Sequence, residues 1–230
     1  MLHQESIDKL DAFFNQYKPL KYKSRSVISL ANDSNSSIFY IKSGFLRVFR
    51  LSKHGEELTL VILKPKDFFP LNFGMTTVTR IHSYYLEAIT PLEIWKVSLE
   101  HFHQFIDQDP SIHLALTKNV FIRFNDVLSK MEYLVLNNAF TKITVTIIAC
   151  ARKFGDKEGD DILIRVPLTH RDIATLVGIT RETTSIEMKK LEKQGYLEKK
   201  GKYLLIKNIE KLEKEMNQQT DSSFHSPYSL

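Results

Sequence analysis

The spacing of apolar residues along the chain changes three times, and each change marks a different architecture. Ile7 to Tyr17 carries an amphipathic helical pattern. Between residues 20 and 98 the apolar positions fall into short runs, SVISL, SIFYIKSGFLRVFRL, EELTLVIL, YYLEAIT and LEIWKVS. Turn-forming clusters at Asn32–Ser37, Lys53–Glu56 and Lys64–Asp67 separate them. Short strands with such breaks predict an antiparallel sandwich or roll of about eight strands.

From Leu99 to Ala139 there is no glycine, and the only proline, Pro110, heads a long helical pattern. Phe121, Phe124, Leu128, Met131 and Val135 recur at alternating spacings of three and four, as in a coiled-coil seam. His113, Val120, Val127 and Leu134 form a second line seven apart. So much apolar surface fits a dimerisation helix, and it equally fits a helix buried in one large core; the pattern does not choose between them. Asn137 and Asn138 interrupt the seam and form a hinge. A further helix then runs from Ala139 to Phe154 and ends in a turn at Gly155–Asp161.

The segment Thr169–Ile206 has a different logic. Thr169 caps a short helix, Arg171 to Val177, whose Ile173, Ala174 and Val177 share a face. Ala174 is small where a second helix must cross closely, and Gly178 supplies a tight turn that Ile179 packs down. Thr180 then caps a second helix that Gly195 stops. Residues 196–206 read as two strands about a basic turn. Together these make a helix-turn-helix with a wing, the second helix presenting its N-terminal end to the major groove. A winged helix used for protein contacts is the alternative.

Composition sharpens that choice. The 230-residue chain has 43% hydrophobic residues and a formal charge of +5, from 32 Lys and Arg against 27 Asp and Glu. Within residues 165–207 the cations Arg165, Arg171, Arg181, Lys189, Lys190, Lys193, Lys199, Lys200, Lys202 and Lys207 face only Asp172, Glu182, Glu187, Glu192 and Glu198. That surplus favours duplex DNA as the partner. A single cysteine, Cys150, excludes an intramolecular disulfide and a cysteine-ligated cluster. With no apolar run of membrane-spanning length and no secretion signal, the expectation is a cytoplasmic protein without a membrane partner.

Thr169 to Ser185, THRDIATLVGITRETTS, followed by KKLEKQGYL at 189–197, resembles the Crp-Fnr family of bacterial transcription regulators. The resemblance covers nearly the whole chain. It implies an α+β chain with an N-terminal antiparallel β jelly roll of the cyclic-nucleotide-binding type, a long dimerisation helix and a C-terminal winged helix-turn-helix. The corresponding segments are 1–108 for the sensor domain, 109–137 for the dimerisation helix and hinge, and 138–216 for the DNA-binding domain, with a tail at 217–230. It also implies a homodimer acting on an inverted-repeat operator, with RNA polymerase as a partner. Phe121, Phe124, Leu128, Met131 and Val135 would form the dimer interface. The DNA-binding set is Thr169, Arg171, Thr180, Arg181, Glu182, Thr184, Ser185, Ile186, Lys189, Lys199, Lys200 and Lys202. Of these, Arg181, Glu182 and Ser185 stand where the family contacts base edges; arginine donates to guanine, glutamate accepts from cytosine, and serine does either. Ile186 departs from the arginine that many members carry there.

The family's ligand cassette falls at Asp67–Met75, with a second half near His82 and Ser83. A cyclic nucleotide needs a carboxylate for the ribose hydroxyl and an arginine for the phosphate. Leu71 and His82 occupy those two positions, and Arg80 lies two residues upstream, so gating by cyclic nucleotide is not expected. Phe69, Leu71, Phe73, Met75, Arg80, His82 and Ser83 are the candidate effector pocket. Haem or gas sensing through His82, His101, His103 or His113 is an alternative within the family, and a ligand-binding or protein-interaction module without base readout is the alternative outside it. Neither a metal site nor a cofactor motif is expected, and no catalytic constellation is present in the sequence, so an enzyme is not expected.

Overall fold

The computed structural model describes residues 3–29, 37–70 and 84–219. Leu71, Phe73, Met75, Arg80, His82 and Ser83 of the candidate effector pocket lie outside the described residues. The chain forms two compact units, residues 1–55 with 60–124, and residues 56–59 with 125–230.

The chain opens with α1 (Gln4–Phe14), followed by the strands β1 (Leu20–Tyr22), β2 (Val27–Ser29), β3 (Ser37–Ser43), β4 (Leu46–Leu51), β5 (Glu57–Leu63), β6 (Phe68–Phe69), β7 (Tyr85–Ala88) and β8 (Leu92–Ser98), all in the first unit except the start of β5. They form two four-stranded sheets, ordered β1-β8-β3-β6 and β2-β7-β4-β5. Strand β3 pairs antiparallel with β8, Ile38 opposite Val97 and Tyr40 opposite Trp95. Its continuous apolar run follows from burial on both faces. Phe39 and Ile41 join Leu46, Val48, Leu86 and Ile94 in one cluster, which draws on both sheets. Ile38 and Tyr40 turn the other way, toward Leu10, Phe14, Phe102, Ile112 and Leu116. Phe14 stacks on Tyr40 with ring centroids 4.5 Å apart; truncating it to alanine removes a fully buried aromatic, a change that costs about 3–5 kcal/mol.

Two helices follow, α2 (Leu99–Asp107), capped by Ser98, and α3 (Pro110–Leu136). Arg123 on α3 binds Asp67 at 2.5 Å and donates to Asn119 at 2.9 Å, while Asp67 also accepts from the Lys64 backbone N–H. A half-buried guanidinium and a buried carboxylate thus satisfy each other. The boundary between the two units falls inside α3, after Phe124, rather than at the ends of the helix.

The apolar stripe on α3 is exposed along most of its length. Ile112 and Leu116 are buried, but Phe121 is 65% exposed and Val135 73%, and Phe124, Val127, Leu128 and Met131 are exposed as well. Among the described residues, this stripe stays exposed rather than packed into a core.

The second unit continues with α4 (Ala139–Phe154), β9 (Gly155–Glu158), β10 (Asp161–Ile164), α5 (His170–Val177), α6 (Arg181–Lys193), β11 (Leu197–Lys200), β12 (Tyr203–Ile206) and α7 (Ile209–Gln219). Its sheet order is β11-β12-β10-β9. Asn138 ends the seam by capping α4, its side chain accepting from the Thr141 N–H. The expected turn at 155–161 is instead a hairpin. The residues of β9, Gly-Asp-Lys-Glu, carry no apolar alternation and pair through their backbone, Asp156 opposite Leu163. Gly155 allows the chain to leave α4 this tightly, because a Cβ there would lie 2.3 Å from the Ala151 carbonyl oxygen.

Candidate nucleic-acid interface

The local chemistry of α5 and α6 fixes their geometry. At the start of α5, Thr169 and Asp172 form a capping box: the Thr169 hydroxyl accepts from the Asp172 N–H, and the Asp172 carboxylate accepts from the Thr169 N–H at 2.8 Å. At its end Gly178 adopts the left-handed conformation, φ +74°, and donates to the Ala174 carbonyl at 2.8 Å. A side chain at that φ is strained, so the turn between the helices depends on glycine. Thr180 opens α6, accepting from the Thr183 N–H at 3.1 Å. Ala174, Ile173, Val177, Met188 and Leu191 are buried.

On α6 the residues divide cleanly into two faces. Arg181, Glu182, Ile186, Lys189 and Lys190 are exposed, Ser185 is half-buried beside them, and Thr184, Glu187, Met188 and Leu191 are buried. Thr184 therefore corrects the expected DNA-binding set. Its side chain is fully buried and donates to the Thr180 carbonyl at 2.9 Å, so it holds the first turn of α6 from beneath. Periodicity could have shown this, since Thr184, Met188 and Leu191 are spaced four and three apart. The hydroxyls of Thr169 and Thr180 lie at the surface but are engaged in their caps. Arg171 is exposed on α5.

Strands β11 and β12 form the wing, Lys200 opposite Tyr203. Lys199 is exposed, and the Lys202 ammonium lies 5.3 Å from the centroid of the Tyr203 ring. Lys200 reaches Glu158 at 2.7 Å, Lys207 reaches Asp161 at 2.9 Å and Glu198 at 3.2 Å, and Arg165 meets Asp156 at 2.6 Å. The hydrogen bond from Lys207 holds the Asp161 carboxyl below the usual carboxylate range, and Asp161 in turn raises Lys207. The count of cations against carboxylates over residues 165–207 includes Glu198 but misses Asp156, Glu158 and Asp161, because they lie on the hairpin just before that window.

Of the candidate effector residues, Phe69 is described. It pairs with Phe39 and packs edge-on to Tyr84 at 6.0 Å, as part of the β-roll core. Cys150 is buried, which pushes its thiol up to about 12.

A helix-turn-helix with a basic wing, in one chain with an antiparallel β-roll, defines a class of DNA-binding regulators. Residues 145–215 match the Crp-like helix-turn-helix domain and residues 19–109 the cyclic nucleotide-binding domain. The cAMP-activated global transcriptional regulator CRP of Pasteurella multocida is 26% identical over 202 residues, 87% of this chain and 96% of that protein. A mutant of CooA from Carboxydothermus hydrogenoformans has the same fold, with a TM-score of 0.73 and 23% identity over 94% of this chain and 98% of its own. So does the c-di-GMP responsive global regulator CLP of Xanthomonas campestris, with a TM-score of 0.71 and 19% identity over 87% and 98% of the two chains. The chain belongs to the Crp-Fnr family. It is a Crp-like transcription regulator with a helix-turn-helix DNA-binding domain, not an enzyme. Among the described residues, no helix is long and apolar enough to cross a membrane.

Proposed function

We propose that this regulator acts as a homodimer that reads an inverted-repeat operator through Arg181, Glu182 and Ser185 of α6, with Ile186 beside them and the wing lysines on phosphates. The observation that carries this reading is the outward stripe of α6, where donor, acceptor and hydroxyl sit together on the first turns of a capped helix. Lys189, Lys199, Lys200 and Lys202 add charge for the backbone, and Thr169, Thr180 and Arg171 lie at helix starts suited to it. The exposed apolar stripe of α3, from Phe121 to Val135, supports self-association, because a two-fold axis buries a seam against its own copy. Contact with RNA polymerase and residence in the cytoplasm follow from the family and complete the proposal.

The effector differs among proteins of this fold: one relative is described as activated by cAMP and another as responsive to c-di-GMP. The fold therefore does not name it. Leu71 and His82 argue against a cyclic nucleotide here.

A mobility-shift titration at raised salt, with excess random duplex as competitor, tests the DNA reading. A base-reading protein keeps a large preference for its own promoter fragments as salt rises. Equal competition by random duplex at every salt concentration would leave a winged helix that does not read bases.

A further inference from the structure

Ser185 differs from its neighbours on the outward stripe of α6. Its Oγ lies 2.8 Å from Nδ1 of His170, fifteen residues earlier and on the other helix of the motif. A serine hydroxyl has one donor and two acceptor sites and rotates to suit its surroundings, which makes it an adaptable reader that accepts or donates at a base edge. A fixed partner narrows that freedom.

We propose that His170 is a positioning residue for base readout: it orients the Ser185 hydroxyl and narrows its hydrogen-bonding roles, and so sets the selectivity at the base pair Ser185 meets. The inference rests on the reading of α6 as the base-reading helix. His170 is the first residue of α5, where the capping box of Thr169 and Asp172 fixes the backbone. Ser185 is in the second turn of α6, whose start Thr180 fixes. The two ends of the hydrogen bond are thus carried by two capped helices packed on each other, the condition under which a supporting residue orients a functional one. With the ring proton on Nε2, Nδ1 takes the Ser185 O–H, and the oxygen faces the groove as an acceptor, suited to the amino group of adenine or cytosine. With the proton on Nδ1, the ring donates instead and the hydroxyl hydrogen turns to an acceptor such as guanine O6 or thymine O4. In the first arrangement only acceptance is left to the hydroxyl; in the second its O–H stays free to donate and one of its two acceptor sites is taken, so either tautomer narrows what an unsupported serine offers. Sequence pattern does not signal His170, because its place beside a cap looks like that of any helix-start residue.

The test is the base preference of the full-length protein at every operator position, for wild type, Ser185→Ala, His170→Ala, His170→Asn and the double alanine variant. Ser185→Ala identifies the pair concerned. His170→Ala is expected to reduce discrimination at that same pair by roughly tenfold, the size of one specific hydrogen bond, and to leave the other pairs unchanged. His170→Asn, which sets an amide near the place of Nδ1, is expected to restore most of it. In the Ser185→Ala background, His170→Ala is expected to change nothing further at that pair. If His170→Ala weakens all duplexes by one factor without changing preference, His170 holds phosphate or structure, and the inference fails. If Ser185→Ala changes preference while His170→Ala does not, this inference alone fails. If Ser185→Ala changes preference nowhere, the base-reading role assigned to Ser185 fails with it.

Discussion

Arg181 and Glu182 stand side by side on the first turn of α6, exposed and opposite in charge, next to the turn that Gly178 makes possible. A guanidinium forks to guanine O6 and N7, and a carboxylate accepts from cytosine N4, so each is suited to a different base. Replacing either with alanine is expected to cost about 1–3 kcal/mol on the cognate site and to relax preference at one base pair. Affinities for cognate and random duplex check this; equal losses on both would move the two residues from bases to phosphates. Ile186 is exposed in the same patch, where an apolar side chain has no hydrogen bond to offer a base and only a thymine methyl to meet. The place of these residues on the exposed start of α6 was legible in the sequence, because caps, turn glycine and helix start fix it. Thr184 falls on the buried face of α6, where helical period sets it with Met188 and Leu191. The contact between His170 and Ser185 was not legible, because the two lie on different elements.

The elements show the same division between what a pattern carries and what packing decides. The two-faced run of β3, the long helix behind Pro110 and the helix-turn-helix were all readable, since each rests on apolar spacing or on capping residues. Strand β9 was not, because its polar edge is paired by backbone alone, and α7 went unassigned although Ile209, Leu212 and Met216 bury one face of it. The wing brings its cations close to carboxylates of the preceding hairpin, with Lys200 on Glu158. Exposed pairs of this kind contribute roughly 0–1 kcal/mol, too little to prevent a phosphate from displacing the carboxylate. Replacing Lys199, Lys200 and Lys202 together with alanine is therefore expected to weaken binding to all sequences. The slope of log affinity against log salt should flatten by roughly 0.9 for each lysine that meets a phosphate, and base preference should persist. A slope equal to that of the wild type would place the wing away from DNA.

At the scale of the whole molecule, the exposed seam of α3 and the two-fold symmetry of an inverted repeat make one argument. Introducing glutamate at Phe124 and Leu128 sets like charges against each other across the proposed axis, where they cannot be solvated. Sedimentation is expected to show monomers at micromolar concentration, with DNA affinity falling in parallel; a dimer that survives both substitutions would place the interface elsewhere. The β-roll carries a separate expectation. The family resemblance implies that Leu71 and His82 stand where ribose and phosphate would be held, and on that reading calorimetry with cyclic AMP or cyclic GMP is expected to give no binding heat at micromolar concentrations. Micromolar affinity that Arg80→Ala abolishes would restore nucleotide gating through a shifted loop. The central claim, a dimer that reads DNA with two copies of α6, is tested most directly by selecting duplexes from a random pool with the full-length protein and sequencing those retained. The expected result is an inverted repeat whose half-sites are centred about one helical turn apart, roughly 10 base pairs. A retained pool with no common sequence, or with a single unrepeated half-site, would contradict it.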